Sequence, residues 1–234
     1  MNIDKKISAS VASIPSRQNL LARCIDSILP QVDILYVYLN NYENIPNFLN
    51  SKKIKVLHSK FYGDKADIGK FYPLVGAKGY LFTIDDDLLY PNNYIESMIN
   101  NIEKYCRTVF ICVHGNILPN YKIKSYYKEK KGLHYAKELS EDTIIDIPGT
   151  GTLAFHSQLY EINELDFQLP FMTDISLYKI LLSKNIPAVA IARNRFWIQS
   201  LFSTPDDLSI YTKYINNDRV PTKIINDIRN KYYA

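Results

Sequence analysis

The chain has 234 residues, 47% of them hydrophobic, which fits one large packed α/β domain or two small ones rather than a disordered chain. A formal net charge of +4 is too weak to argue for nucleic acid, and no run approaches the roughly 18 apolar residues of a membrane span. The three cysteines, Cys24, Cys106 and Cys112, form no CxxC or Cys/His cluster that suggests zinc, and beside apolar runs they read as buried thiols in a reducing compartment.

The start, "MNIDKKISASVASIPSR", has a short apolar stretch broken by serines. It does not read as a signal peptide, so a cytoplasmic protein is expected. Residues 6–14 predict a first strand ending at Pro15. Ser16 is placed to cap a helix carrying Leu20, Leu21, Cys24, Ile25 and Ile28 at helical spacing, with Pro30 ending it. "DILYVYLN", 33–40, and "IKVL", 54–57, predict two further strands, separated by the turn-rich "NNYENIP". "GDKADIGKF", 63–71, is a Gly-punctuated loop with one helical turn, and "YLFTI" is a fourth strand that runs into Asp85, Asp86 and Asp87.

After Pro91, residues Ile95, Met98, Ile99, Ile102 and Tyr105 predict an amphipathic helix, and "TVFICVHG", 108–115, another buried strand. The stretch 121–137, "YKIKSYYKEKKGLHYAK", is basic and tyrosine-rich without a clear period. It fits a lid or acceptor contact, an anionic membrane surface, or a solvated loop. "TIIDI" and "PGTGTLAF" carry strand candidates. Residues 173–185 predict a helix with Thr173 as N-cap and Ile175, Tyr178 and Leu182 on one face, and "AVAIA" a final strand. Thr204, Pro205 and Asp207 predict another helix start, and a basic helix over roughly 222–232 closes the chain. Strands alternating with helices imply one α/β, Rossmann-like domain over 1–234: a mostly parallel sheet covered on both faces, with ligands at the strand ends.

The acidic triplet is the main chemical signal. Alternate strand residues share a face, so Asp85 and Asp87 are expected to converge while Asp86 points away. Two carboxylates at the open end of a parallel sheet suit Mg²⁺ or Mn²⁺, whose remaining positions phosphate oxygens fill. A solvated acidic turn is the alternative. The apolar strand leading in and the helix leading out aim the triplet at a crevice.

The ordered set "IPSR", "VYLNNY", "GDKADIGKF", "TIDDDLLYP", "GTGTLAFH" and "FMTDI" spans most of the chain and resembles GT-A-fold glycosyltransferases, nearest to bacterial enzymes of the glycosyltransferase family 2 type. The resemblance implies a nucleotide-sugar donor, UDP-linked by preference, bound by about residues 1–91. It also implies a divalent metal, and a glycan or lipid-linked acceptor bound by about residues 92–234, in synthesis of surface polysaccharide. Carried over, Asp87 is the metal ligand, with Asp85 and Asp86 at ribose, sugar, metal or metal-bound water. Ser13, Ile14, Pro15 and Arg17 fall where the nucleoside is contacted. Asn40 and Asn41 stand where the family often has an acidic residue facing the base or ribose. Asp64 or Asp67 would face uracil or ribose, and Lys70 would neutralise phosphate, although a solvated turn explains that loop equally well.

Asp174 is the expected general base of an inverting transfer. The helix dipole alone also favours an aspartate there. His156 would be a further metal ligand or acceptor contact, or simply a hydrogen-bonded histidine, and His114 has the same alternatives. The GTG loop, 149–151, would let backbone approach the sugar, and Trp197 would stack on a sugar or fill the core. The rival functions are a sugar nucleotidyltransferase, whose usual basic glycine-rich loop near the N-terminus is missing, and a non-catalytic sugar-binding module.

Overall fold

The protein is described by a computed structural model covering residues 3–202 and 217–232. Its strands are β1 (Ile7–Ser13), β2 (Ile34–Leu39), β3 (Ile54–His58), β4 (Tyr80–Asp85), β5 (Leu88–Leu89), β6 (Phe110–Cys112), β7 (Gly115–Ile117), β8 (Lys131–Leu133), β9 (Thr143–Ile145), β10 (Ile147–Pro148), β11 (Thr152–His156), β12 (Ala188–Ala190) and β13 (Gln199–Ser200). The α-helices are α1 (Gln18–Ile28), α2 (Ser59–Tyr62), α3 (Tyr94–Lys104), α4 (Tyr126–Glu129), α5 (Thr173–Lys184) and α6 (Arg219–Tyr232). The helix expected to start at Thr204 lies outside the described residues.

Eight strands make the central sheet, in the order β3-β2-β1-β4-β11-β6-β12-β9. The β3-β2-β1-β4 half is wholly parallel. β11 enters antiparallel between β4 and β6, and β9 is antiparallel at the edge. This is the mostly parallel, helix-covered, Rossmann-like sheet expected from the alternation of strands and helices. Chain order reverses across the β1/β4 pair: β2 and β3 extend to one side, and the chain returns to add β4 on the other. In open α/β sheets the crevice beyond the strand ends at such a switch point is where ligands bind. Here those ends carry Ala12 and Ser13 beside Asp85.

Strand side chains alternate between two cores. Phe82 and Ile84 of β4 pack with Leu21, Cys24, Ile25 and Ile28 of α1 and with Ile95, Met98 and Ile102 of α3. Leu81 faces the other way, with Leu177, Ile180 and Leu181 of α5. Each such fully buried aliphatic chain contributes about 1.5–3 kcal/mol of apolar burial. The opposite side of α5, with Ile175 and Tyr178, meets Ile225 and Ile228 of α6. α5 is thus packed on two sides, which is why its apolar residues spread beyond a single stripe while Lys179 and Ser183 stay exposed.

Several local expectations are corrected. Ser16 makes no cap: Pro15, with its fixed φ, opens a tight 3-10 turn over Pro15–Arg17 before α1 begins at Gln18. Thr173 is already inside α5, and its hydroxyl donates to Asp67 Oδ2 at 2.8 Å instead of capping. Cys106 is exposed, whereas Cys24 and Cys112 are buried thiols. "AVAIA" is not the last strand, since β13 pairs with β5 further on. Trp197 packs against Tyr94 at the edge of the first core and donates to Asn93 Oδ1. No helix among the described residues is long and apolar enough to cross a membrane.

Candidate active site

A crevice of about 650 Å³ opens at the β1/β4 switch point. Asp85, Asp86 and Asp87 lie on one wall with Ser13, Arg17 and Lys70, and Asp174 lies in the same crevice.

The three aspartates do not behave as a strand triplet. β4 ends at Asp85, and the chain turns through Asp86 and Asp87 before β5. Strand alternation stops at Asp85, so the pleat does not fix where Asp87 lies, yet Asp85 is the carboxylate that acts most strongly on it. The turn brings Asp86 and Asp87 to one guanidinium. Arg17 Nη1 lies 3.1 Å from Asp86 Oδ1 and 3.4 Å from Asp87 Oδ2. Asp86 also accepts from Ser13 Oγ at 2.5 Å and is buried. Asp85 pairs with the buried Lys70, whose Nζ donates to Oδ1 at 2.6 Å.

Three carboxylates thus face two cations, and the imbalance falls on Asp87. Burial, and then the neighbouring charges of Asp85 and Asp86, push its carboxyl up to about 7, with Arg17 and Lys70 offsetting only part. Burial alone would raise Asp85 too, but the Lys70 ammonium holds it below the usual carboxylate range. Asp86 ends above that range because burial outweighs Arg17 and Ser13. Lys70 is buried at a cost to its charged form, yet Asp85 keeps it firmly protonated.

Hard oxygen donors with one unbalanced negative charge fit a divalent cation. Among the described residues, no group of three or more His, Cys, Asp or Glu side chains is arranged to hold a metal ion by itself. Asp87 and Asp85 are the carboxylates there that a cation could meet, with its other positions left to a ligand or to water.

Tyr90, which sequence reasoning did not single out, braces this wall. Its buried hydroxyl donates to Gly151 O at 2.7 Å and accepts from Asp85 N at 2.9 Å. Its only sequence signal is position, two residues into the apolar "LLY" that follows the triplet. A Cβ at Gly151 would collide with the Asp85 carboxyl, so a larger residue there displaces that side chain. We expect Gly151→Ala to push the Asp85 carboxyl off Lys70. It should destabilise the fold by about 1–3 kcal/mol, the usual cost of overpacking, and weaken any ligand of the triplet at least tenfold. Thermal unfolding and calorimetric titration read the two effects separately.

Asp174 stands in the first turn of α5, near enough to Lys70 for its charge to act on the ammonium. Its Oδ1 accepts from Thr150 N at 2.8 Å and Thr150 Oγ1 at 2.6 Å. These bonds fix the carboxyl against the GTG loop, and Oδ2 accepts no hydrogen bond among the described residues. His114 also lines the crevice, with Nδ1 2.9 Å from Thr152 Oγ1. Burial lowers its pKa despite the pull of Asp174 and Asp85. The basic tyrosine segment closes this side with Tyr126, Tyr127, Lys130, His134 and Tyr135.

Not every expected residue reaches the crevice. His156 is buried at the far end of β11, opposite Tyr80 rather than Asp85. At roughly 3.3 Å per residue, five residues of β4 place it about 16 Å from the triplet. There its Nε2 lies 2.9 Å from Asp4 O. His156 is therefore no partner of Asp85 and Asp87 in holding a metal. Asp64 is exposed and engaged locally by Asn41 Nδ2 and Ala66 N, outside the crevice wall. Pro15 shapes the turn that delivers Arg17 but does not line the crevice.

Asn40 and Asp67 do line it, with their side chains spent on framework bonds. Asn40 donates to Ala66 O and accepts from Lys65 N. Asp67 accepts from Phe171 N at 2.6 Å and from Thr173 Oγ1, tying the 63–71 loop to the start of α5.

No protein-family model matches the chain, and no curated protein matches it. Among solved structures, the chain is similar to A197 from STIV at 12% identity and a TM-score of 0.46, over 86% of this chain and 87% of that one. It is also similar to a 4-diphosphocytidyl-2C-methyl-D-erythritol synthase from Anaerococcus prevotii DSM 20548 at 13% identity and a TM-score of 0.39, over 91% and 85%. Both likenesses are distant.

Proposed function

We propose that this protein is a divalent-metal-dependent glycosyltransferase that moves a sugar from a nucleotide diphosphate donor, UDP-linked by preference, to an acceptor hydroxyl. The observation that carries this reading is the charge imbalance of the triplet: three carboxylates against Arg17 and Lys70 at a switch-point crevice.

Asp87 and Asp85 would hold Mg²⁺ or Mn²⁺, which would supply positive charge where the diphosphate leaving group develops its negative charge. Arg17 and Lys70 add fixed positive charge to the same wall. Ser13 and Ile14, at the end of β1, offer the adjoining surface to the nucleoside. Asp174 would take the proton of the attacking hydroxyl through Oδ2, with Thr150 holding the carboxyl in place, and a single displacement of this kind inverts the anomeric centre.

Nucleotidyl transfer would use the same cations and carboxylates, with attack at phosphorus. Asp174 favours the glycosyl reading, because an attacking hydroxyl has a proton to lose to a base, whereas an attacking sugar phosphate is already ionised. A screen of nucleotide sugars with and without manganese tests the proposal. The expected result is manganese-dependent release of nucleoside diphosphate from at least one donor. Release of pyrophosphate from a nucleoside triphosphate and a sugar phosphate would establish the rival chemistry instead, and turnover indifferent to manganese would refute the metal role.

A further inference from the structure

The segment 121–137 holds six lysines and a single acid, Glu129. Glu129 neutralises none of them: its Oε1 accepts from the backbone N–H groups of Lys124 and Ser125, both at 2.7 Å. The segment is a fixed wall rather than a loose loop. Asp218 accepts from Tyr127 N and Ser125 Oγ. From α6, Thr222 accepts from Tyr126 N, and Asn226 bonds both backbone groups of Ile123.

This wall presents Lys130 to the crevice. Its ammonium stands 4.5 Å from the ring centroids of both Tyr126 and Tyr127. Among the described residues it makes no ion pair and no side-chain hydrogen bond, whereas the crevice's other Lys/Arg cations, Lys70 and Arg17, are paired to the triplet. Burial lowers its pKa to about 8, only partly opposed by Asp174. Two ring faces position the ammonium without supplying it an anion. A half-buried cation held in this way gains most from a ligand that brings a charge of its own.

We infer that Lys130 selects the acceptor: the second substrate is a saccharide bearing an anionic group, phosphate or carboxylate, which pairs with Lys130 above the Tyr126 and Tyr127 rings. The inference rests on the transferase reading of this crevice and adds the chemical class of its acceptor.

The test uses the full chain saturated with UDP and Mn²⁺, titrated calorimetrically with glucose, glucuronate and glucose 6-phosphate. The wild type should bind at least one anionic sugar about tenfold or more tighter than glucose, and the stronger of the two identifies carboxylate or phosphate. Lys130→Gln should erase that preference and Lys130→Arg should retain it, a rescue that a purely structural role would not produce through charge alone. A wild type that binds the three sugars equally, or none of them, overturns the inference. So does Lys130→Gln with the preference intact, or, should Lys130→Gln not fold, Lys130→Arg without it. The UDP titration that precedes these is a separate readout. Failure of UDP to bind would sink the donor reading alone, and the sugars would then be compared on the ligand-free protein with the same criteria.

Discussion

Asp87→Ala is expected to abolish divalent-dependent donor binding and to lower transfer by about 10³-fold or more, the scale of losing the principal charge-stabilising group of a site. The same substitution should make the metal-free protein more stable at neutral pH. Burial and the charges of Asp85 and Asp86 raise the folded-state carboxyl of Asp87 to about 7, whereas an unfolded aspartate titrates near about 3.9. A carboxyl raised on folding favours the folded state fully below about pH 4, and that contribution is lost as pH rises through about 7. Removing Asp87 removes the penalty, less its 3.4 Å contact with Arg17, for a net gain of roughly 1–3 kcal/mol at pH 8. Calorimetric unfolding in chelator at pH 4 and pH 8 checks this. The variant should exceed wild type at pH 8, the gap should shrink at pH 4, and manganese should close it by stabilising the wild type. A variant less stable than wild type at pH 8 would show that Arg17 and Lys70 already balance the triplet.

Asp174→Asn is expected to leave UDP binding within about threefold of wild type and to cost 10²–10⁴ in turnover, about the usual worth of a general base. Asparagine keeps a carbonyl oxygen to accept from Thr150 N and Oγ1, the two bonds that fix the present side chain, so the start of α5 should hold. Single-turnover kinetics at saturating donor separates this loss from any change in binding. Near-normal turnover would remove Asp174 from the chemistry and leave it as a brace of the GTG loop.

The sheet was legible in the sequence because its strands are continuous apolar runs set between helical periods, a pattern that local burial dictates. The crevice was legible in part for the same reason: an apolar strand that ends in acids must end at a surface. What failed was finer. Alternation does not carry across Asp85 into Asp87, because β4 stops at Asp85, and Arg17, 69 and 70 residues earlier in the chain, gathers the two aspartates of the turn. His156 looked like a site residue because it ends a strand. β11 runs antiparallel to β4, so its last residue lies opposite the first of β4, away from the triplet. Asp64 and Asp67 are three residues apart and looked equivalent. Only contact with α5, more than 100 residues later, separates the one that lines the crevice from the one that does not. The wall made by residues 121–137 had no period to read, because its order comes from side chains of α6 and Asp218 rather than from its own repeat.

A crystal structure with UDP and manganese, with the metal located by anomalous scattering, decides whether the triplet holds a cation against the diphosphate. Manganese is expected at Asp87 and at the diphosphate together, with Arg17 and Lys70 still flanking the triplet. UDP bound in the crevice with no metal at Asp87, or bound away from the β1/β4 strand ends altogether, would contradict this expectation.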